Sequence, residues 1–168
     1  DPLVDRISQK RFIDKLNLPS PSWLSIRDFK NLSVEDLKAW KFPIMAKSFK
    51  GGYDGKGNKK ISCKEELEDF LNLNKSEEWI IEEWVDYEKE IALIGSRDNE
   101  GVIRVFPIVE TFQSNNVCHW VLSPAKTSYE IDLFAYNIFS SIVNELNYVG
   151  VLGIEFFFGK SGLLINEI

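Results

Sequence analysis

The order of apolar and polar residues divides the chain into three stretches of different periodicity. The first stretch alternates between helical spacing and short extended runs. It predicts helices over 8–16, 33–40 and 63–71, and strands over 23–26, 43–49 and 59–62. Ser8 is a suitable N-cap for the first helix, and Phe12 and Leu16 share one of its faces.

The second stretch, from 78 to 123, is mostly extended. Strands are predicted over 79–84, 89–96, 102–112 and 117–122, with turns at 98–101 and 114–116. Because these strands follow one another with short turns, they predict an antiparallel meander.

The third stretch opens with the longest amphipathic pattern, over 128–146, which predicts a helix that packs on a core. Two strands over 149–158 and 163–168 follow, joined by a tight turn. The whole pattern predicts an α+β protein with two small sheets, each backed by helices. We expect residues 1–79 to form one lobe and 80–168 a second.

Composition excludes several classes of protein. The chain has 168 residues, 44% of them hydrophobic, which is enough for an ordinary core. The net charge of −6, with no long basic run, argues against a nucleic-acid partner. No apolar run approaches the ~20 residues of a membrane helix, so we expect a soluble, cytoplasmic protein. Cys63 and Cys118 lack zinc-site spacing, and a lone His119 is a poor basis for a catalytic triad.

A glycine-rich stretch follows the strand that ends near Lys47. Four glycines occupy seven positions over 51–57, and Lys47, Lys50 and Lys56 add positive charge. Glycines let backbone N–H groups converge on an anion, so the stretch is typical of a phosphate-binding loop. Its spacing is not that of a P-loop, and an ordinary hairpin loop around Asp54 is the alternative.

Two carboxylates lie inside apolar strands near the end of the chain. Glu155 and Glu167 belong to the two strands of the predicted hairpin and could face the same side. Oxygen ligands of this kind, with Asn166 beside them, suit magnesium. The alternative is that one or both carboxylates point to solvent on an edge strand.

A further acidic cluster lies where the two predicted lobes meet. Its backbone over 82–85 could pair with an adenine edge, and Glu90 could accept hydrogen bonds from ribose hydroxyls. Acidic residues at strand ends are also commonly just solvated, so this pattern alone decides nothing.

Taken in order, these elements resemble the ATP-grasp superfamily. The motifs over 5–10, 18–21, 47–57, 148–155 and 166–167 are similar to N5-carboxyaminoimidazole ribonucleotide synthases of purine biosynthesis, and Gly-Gly-Tyr-Asp-Gly at 51–55 is the most specific. The resemblance implies an ATP-grasp fold, with two α+β lobes of mainly antiparallel sheets and ATP bound between them.

It also implies an activity. ATP and Mg²⁺ would support carboxylation of 5-aminoimidazole ribonucleotide with bicarbonate, through carboxyphosphate, to give the N5-carbamate, ADP and phosphate. The family is commonly homodimeric. It has further N- and C-terminal parts that this chain lacks, so we expect an excised fragment that is inactive alone.

The resemblance assigns roles to individual residues. The phosphate contacts are Arg6, Lys10, Lys47, Gly52, Tyr53, Asp54, Gly55, Lys56, Gly57 and Asn58. The adenine contacts are the backbone of Glu82, Glu83, Trp84 and Val85, while Glu90 binds ribose, and Glu155 and Glu167 bind magnesium beside Asn166. The catalytic set is Lys47 with Tyr53, Asp54 and Lys56, the last three contacting the imidazole nucleotide.

Two positions depart from the family pattern. Lys56 replaces the usual arginine and so loses a bidentate fork, and Gln113 stands where some relatives have a nucleotide-contacting histidine. Other ATP-grasp ligases, such as a biotin-dependent carboxylase or a formate-using purine enzyme, stay open, although Tyr53 and Asp54 argue against them. A nucleotide-binding module without catalysis is the third reading.

Overall fold

The computed structural model describes residues 1–33, 39–49, 57–74, 78–114, 117–160 and 162–168. Its helices are α1 (Arg6–Lys15), α2 (Ile26–Lys30), α3 (Lys64–Leu73) and α4 (Tyr129–Glu145). Its strands are β1 (Trp23–Ser25), β2 (Ile44–Ser48), β3 (Asn58–Ile61), β4 (Trp79–Glu83), β5 (Lys89–Arg97), β6 (Ile103–Val105), β7 (Val109–Ser114), β8 (Val117–Leu122), β9 (Gly150–Gly159) and β10 (Gly162–Glu167).

The chain forms two compact units. The first consists of Asp1–Phe12, Pro21–Val85 and Asn115–Val117. The second consists of Ile13–Ser20, Asp86–Ser114 and Cys118–Ile168.

A four-stranded antiparallel sheet organises the first unit, in the order β1-β4-β2-β3. One of its faces carries Ile44, Ala46 and Ile81, which pack with Phe29 of α2 and Phe70 of α3 in a buried cluster. The other face carries Met45, Lys47, Ile80 and Glu82, because side chains alternate between the two faces along a strand.

A six-stranded antiparallel sheet organises the second unit. Its order is β10-β9-β5-β7-β8, and β6 pairs with the far end of β5. Helix α4 covers one face with buried side chains that include Ile138 and Phe139. A Cβ at position 95 would lie 2.7 Å from the Phe139 ring, so only glycine lets helix and sheet approach this closely.

The predicted α+β class with antiparallel sheets is confirmed, and several details differ. Strand β4 pairs with β1 and β2, so the first unit continues to Val85 rather than ending at 79. The predicted strand over 102–112 is two strands, β6 and β7, which both pair with β5, and β8 neighbours β7, so the strands over 89–122 follow the predicted order. The strand predicted over 79–84 is not part of this meander, because β4 belongs to the other sheet.

Two helix predictions have different outcomes. Helix α2 was not predicted; it begins where the Ser25 hydroxyl accepts the N–H of Asp28 at 3.1 Å. The helix predicted over 33–40 lies mostly outside the described residues. None of the helices in the described ranges is long and apolar enough to cross a membrane.

Candidate functional site

Three charged side chains meet in the interior of the first unit. Lys10 of α1 lies 2.6 Å from Oε1 of Glu82, and Lys47 of β2 lies 2.6 Å from Oε2 of the same carboxylate. All three side chains are at most 5% exposed. We call these residues the Lys10–Glu82–Lys47 cluster.

The strand register explains how β2 and β4 build this cluster. Lys47 pairs with Ile80, so Glu82, two positions along β4, is its diagonal neighbour on the same face. Lys10 reaches that face from α1, whose first residue, Arg6, donates its backbone N–H to the Phe49 carbonyl at 3.2 Å. Residues that are far apart in the sequence therefore contact one carboxylate.

The two lysines favour the ionised form of the Glu82 carboxylate. Burial alone raises the pKa of Glu82, but the charges of Lys47 and Lys10 and their hydrogen bonds outweigh it, so the pKa lies below its ordinary 4.5. The stabilisation that depends on the ionised Glu82 is therefore present above pH 4.5 and is lost as the pH falls through the lower, folded-state pKa.

The cluster also carries net charge, since one carboxylate and two ammonium groups sum to +1. Arg6, on the same helix as Lys10, is also buried. Each ammonium group has three N–H donors, so a lysine can bind a carboxylate oxygen and a phosphate oxygen together. Such a group of buried cations is suited to binding an anion.

The predicted glycine-rich loop follows β2, the strand that holds Lys47, and precedes β3 in the sequence. Ser48 donates its N–H to the Gly57 carbonyl at 2.7 Å, and Lys47 pairs with Asn58. Among the residues described, the buried Oδ1 of Asn58 accepts no hydrogen bond. Of the predicted loop contacts, Gly52, Tyr53, Asp54, Gly55 and Lys56 lie outside the described residues, so their roles stay predictions.

The predicted adenine-binding segment begins in the sheet and continues past its end. Glu82 has strand partners on both sides, Trp23 and Met45, and Glu83 donates its N–H to Ser22 at 2.9 Å. Trp84 and Val85 follow the end of β4. The sequence did not suggest the buried side-chain role of Glu82, although its alternation with buried Ile80 was a signal.

Two carboxylates of the second unit lie directly opposite each other. Glu167 of β10 pairs with Glu155 of β9, which confirms that they share one side of the hairpin. The pairing shifts between Ile165 and Glu167, so Asn166 sits at an irregularity of the kind that redirects side chains near functional sites.

This donor set fits magnesium rather than a transition metal. Within the described residues, no group of three or more His, Cys, Asp and Glu side chains could hold a metal. Magnesium commonly uses only one or two carboxylates and completes its shell with water and phosphate. The pair of Glu155 and Glu167 meets that requirement.

Glu90 and Gln113 lie on the same sheet face as this pair. Ala92 of β5 is opposite Glu155, and Glu90 is two positions along β5, so Glu90 and Glu155 share a face. Glu90 is in turn opposite Thr111 of β7, and Gln113 is two positions along that strand. Four of the five predicted ligand residues of the second unit therefore share the face opposite to the core, namely Glu90, Gln113, Glu155 and Glu167.

We expect Glu82→Gln to lower the free energy of unfolding by about 3–5 kcal/mol, because it leaves two buried ammonium groups without their carboxylate. The matched control, Glu83→Gln, changes an exposed side chain and should cost no more than about 0.5 kcal/mol.

Urea denaturation followed by tryptophan fluorescence measures this difference. Four of the five tryptophans, Trp23, Trp40, Trp79 and Trp84, belong to the first unit, so the signal reports mainly on it. Equal, small losses in the two variants would show that the cluster does not stabilise the fold.

Comparison with known proteins identifies the family. A model of the ATP-grasp domain matches residues 11–168. The N5-carboxyaminoimidazole ribonucleotide synthase of Synechococcus elongatus is 34% identical over 166 residues, covering 99% of this chain and 42% of that protein. The corresponding protein of Aquifex aeolicus is 35% identical over 164 residues, covering 96% of this chain and 43% of that protein.

Solved structures give the same result. The ADP complex of an N5-carboxyaminoimidazole ribonucleotide synthetase is similar with a TM-score of 0.86 at 30% identity, covering 99% of this chain and 44% of that one. The Thermotoga maritima synthetase has a TM-score of 0.77 at 32% identity, covering 98% of this chain and 41% of that one. This chain thus spans less than half the length of these relatives. Their similarity and the domain match confirm the resemblance seen in the motifs, and the chain belongs to the ATP-grasp family.

Proposed function

We propose that this chain is the nucleotide-binding part of an ATP-dependent ligase that carboxylates 5-aminoimidazole ribonucleotide with bicarbonate. The observation that carries the proposal is the buried Lys10–Glu82–Lys47 cluster, a cation site within a chain similar to synthases of that activity. The homodimer and the cytoplasmic location implied by the resemblance stay predictions.

In the proposed reaction, a bicarbonate oxygen bonds to the γ-phosphorus of ATP, and the bond to the bridging oxygen breaks to release ADP. The amine of the acceptor then attacks the carbonyl carbon of carboxyphosphate, which expels phosphate and gives the carbamate after loss of a proton. Phosphoryl transfer depends mainly on positioning and on cations that offset charge. Lys10 and Lys47, with Arg6, would supply those cations.

The cation site is preorganised because Glu82 already holds both lysines. A flexible lysine loses side-chain entropy when it orders around a ligand. Here both lysines are ordered and nearly excluded from solvent. Phosphate would therefore meet fixed ammonium groups at low ordering cost.

Magnesium would be held by Glu155 and Glu167, with the amide oxygen of Asn166 nearby. When bound, it would offset the negative charge of the nucleotide phosphates. The paired carboxylates support this assignment, since two carboxylates on one side of a hairpin are oxygen donors of the type that magnesium takes.

The remaining assignments follow the resemblance. Backbone groups at the end of β4, from Glu83 to Val85, would contact adenine, and Glu90 would bind the ribose. Tyr53, Asp54 and Lys56 would contact the imidazole nucleotide, and Gln113 would take the place of the histidine of some relatives.

We expect ATP with Mg²⁺ to raise the melting temperature of the chain. With free ATP at 100 times its Kd, the stabilisation should be about 2.7 kcal/mol, or roughly 5–10 °C. Lys47→Met should lose most of this shift, because it removes a phosphate-facing charge but leaves Glu82 paired with Lys10. The exposed control Lys30→Met should keep the shift, and a full shift in Lys47→Met would refute the phosphate role of Lys47.

The combined variant Glu155→Gln with Glu167→Gln should need at least about tenfold more Mg²⁺ to reach the same ATP-induced shift. Titrating Mg²⁺ at constant ATP in a thermal-shift assay measures this. The exposed turn variant Glu100→Gln is the control. An unchanged Mg²⁺ requirement in the combined variant would contradict the assignment of Glu155 and Glu167 as magnesium ligands.

A longer protein that contains this chain should release phosphate from ATP only when bicarbonate and 5-aminoimidazole ribonucleotide are both supplied at saturating levels. Phosphate release and carbamate formation, followed with labelled bicarbonate, test this directly. Release that depends instead on biotin or formate would assign the chain to another ATP-grasp ligase.

A further inference from the structure

Three aromatic and acidic side chains of the second unit hold one another in place. The hydroxyl of Tyr87 donates a hydrogen bond to Oε1 of Glu90 at 2.6 Å. The ring of Tyr87 stacks on Phe157, with centroids 4.6 Å apart and planes 18° from parallel. Phe157 and Glu90 are direct partners in the β9–β5 ladder, so the three side chains form a closed set.

The backbone around Tyr87 is also fixed. Glu88 donates its N–H to the Phe158 carbonyl at 2.9 Å. A Cβ at Gly159 would lie 3.2 Å from the Tyr87 Cα, so the glycine allows the segment before β5 to lie close against the end of β9. The residue after Tyr87 is therefore held by a backbone hydrogen bond, and Tyr87 itself by its stacked ring.

The Glu90 carboxylate can accept further hydrogen bonds besides the one from Tyr87. An ionised carboxylate is acceptor-only and has about four lone-pair directions, of which the Tyr87 hydroxyl uses one. A planar group with two oxygens can accept from two neighbouring hydroxyls at once. Burial, followed by the hydrogen bond to Glu90 and its charge, raises the pKa of Tyr87, so its hydroxyl keeps its proton and stays a donor at neutral pH.

We propose that Tyr87 is a positioning residue that fixes the Glu90 carboxylate for the two hydroxyls of a ribose, and that this makes the chain favour ribonucleotides over deoxyribonucleotides. The inference rests on the proposed function, in which Glu90 binds the ribose of ATP. A carboxylate that is already ordered loses less side-chain entropy when it binds a ligand than a mobile one does. This difference affects affinity only for ligands whose ribose carries the hydroxyls that Glu90 would bind.

Isothermal titration of the chain with ATP and with 2′,3′-dideoxy-ATP, both with Mg²⁺, tests the proposal. The wild-type chain should bind ATP at least about tenfold more tightly than the dideoxy analogue. Tyr87→Phe keeps the stacked ring, and it should weaken ATP binding about 3- to 10-fold while leaving the affinity for the analogue unchanged. Tyr129→Phe, at a tyrosine that is 75% exposed, should alter neither affinity.

The possible outcomes separate the two proposals. If Tyr87→Phe weakens both nucleotides equally, or weakens neither, Tyr87 does not position Glu90, and the nucleotide site itself stands. If wild type binds both nucleotides equally well, Glu90 does not read the ribose, and the inference is overturned. If wild type binds no adenine nucleotide, the proposed function fails, and the inference fails with it.

Discussion

The salt bridges from Lys10 and Lys47 to the Glu82 carboxylate are the interactions on which the first unit depends. Burying three charged groups is expensive, and replacing such a group with apolar residues is often neutral or stabilising. Stability alone therefore does not explain why the chain keeps them. The proposed function supplies a reason, since an apolar core could not bind the phosphates of a nucleotide.

A different constraint shapes the second unit, namely the register of its antiparallel ladders. Side chains alternate between faces, so the same pairing that sends Ile91 and Phe156 into the core sends Glu90 and Glu155 to the opposite face. A slip of one residue would bury the carboxylates and expose the core. Packing against α4 therefore fixes which residues are available for ligands.

The sequence was most informative where partners are close along the chain. The hairpin of β9 and β10 could be predicted from its short turn, but that turn alone would place Asn166 opposite Glu155. The register shift after Ile165, which the sequence did not reveal, brings Glu167 there instead. The side-chain role of Glu82 could not, since its partners come from α1 and β2, far along the chain. Five residues of helical pattern were likewise too few to reveal α2, whose start depends on the hydroxyl of Ser25.

Position in the sheet also explains the misplaced boundary at 79. The run over 79–83 looks the same whether its strand pairs with the elements before it or after it, and only the ladders to β1 and β2 assign it to the first unit. That assignment has a chemical consequence. It gives Glu82 to the unit with the two lysines, whose cluster is cationic, and leaves Glu90, Glu155 and Glu167 together on the anionic face of the other unit. The boundary after Val85 therefore keeps the Glu82 carboxylate in the same unit as the lysines that pair with it.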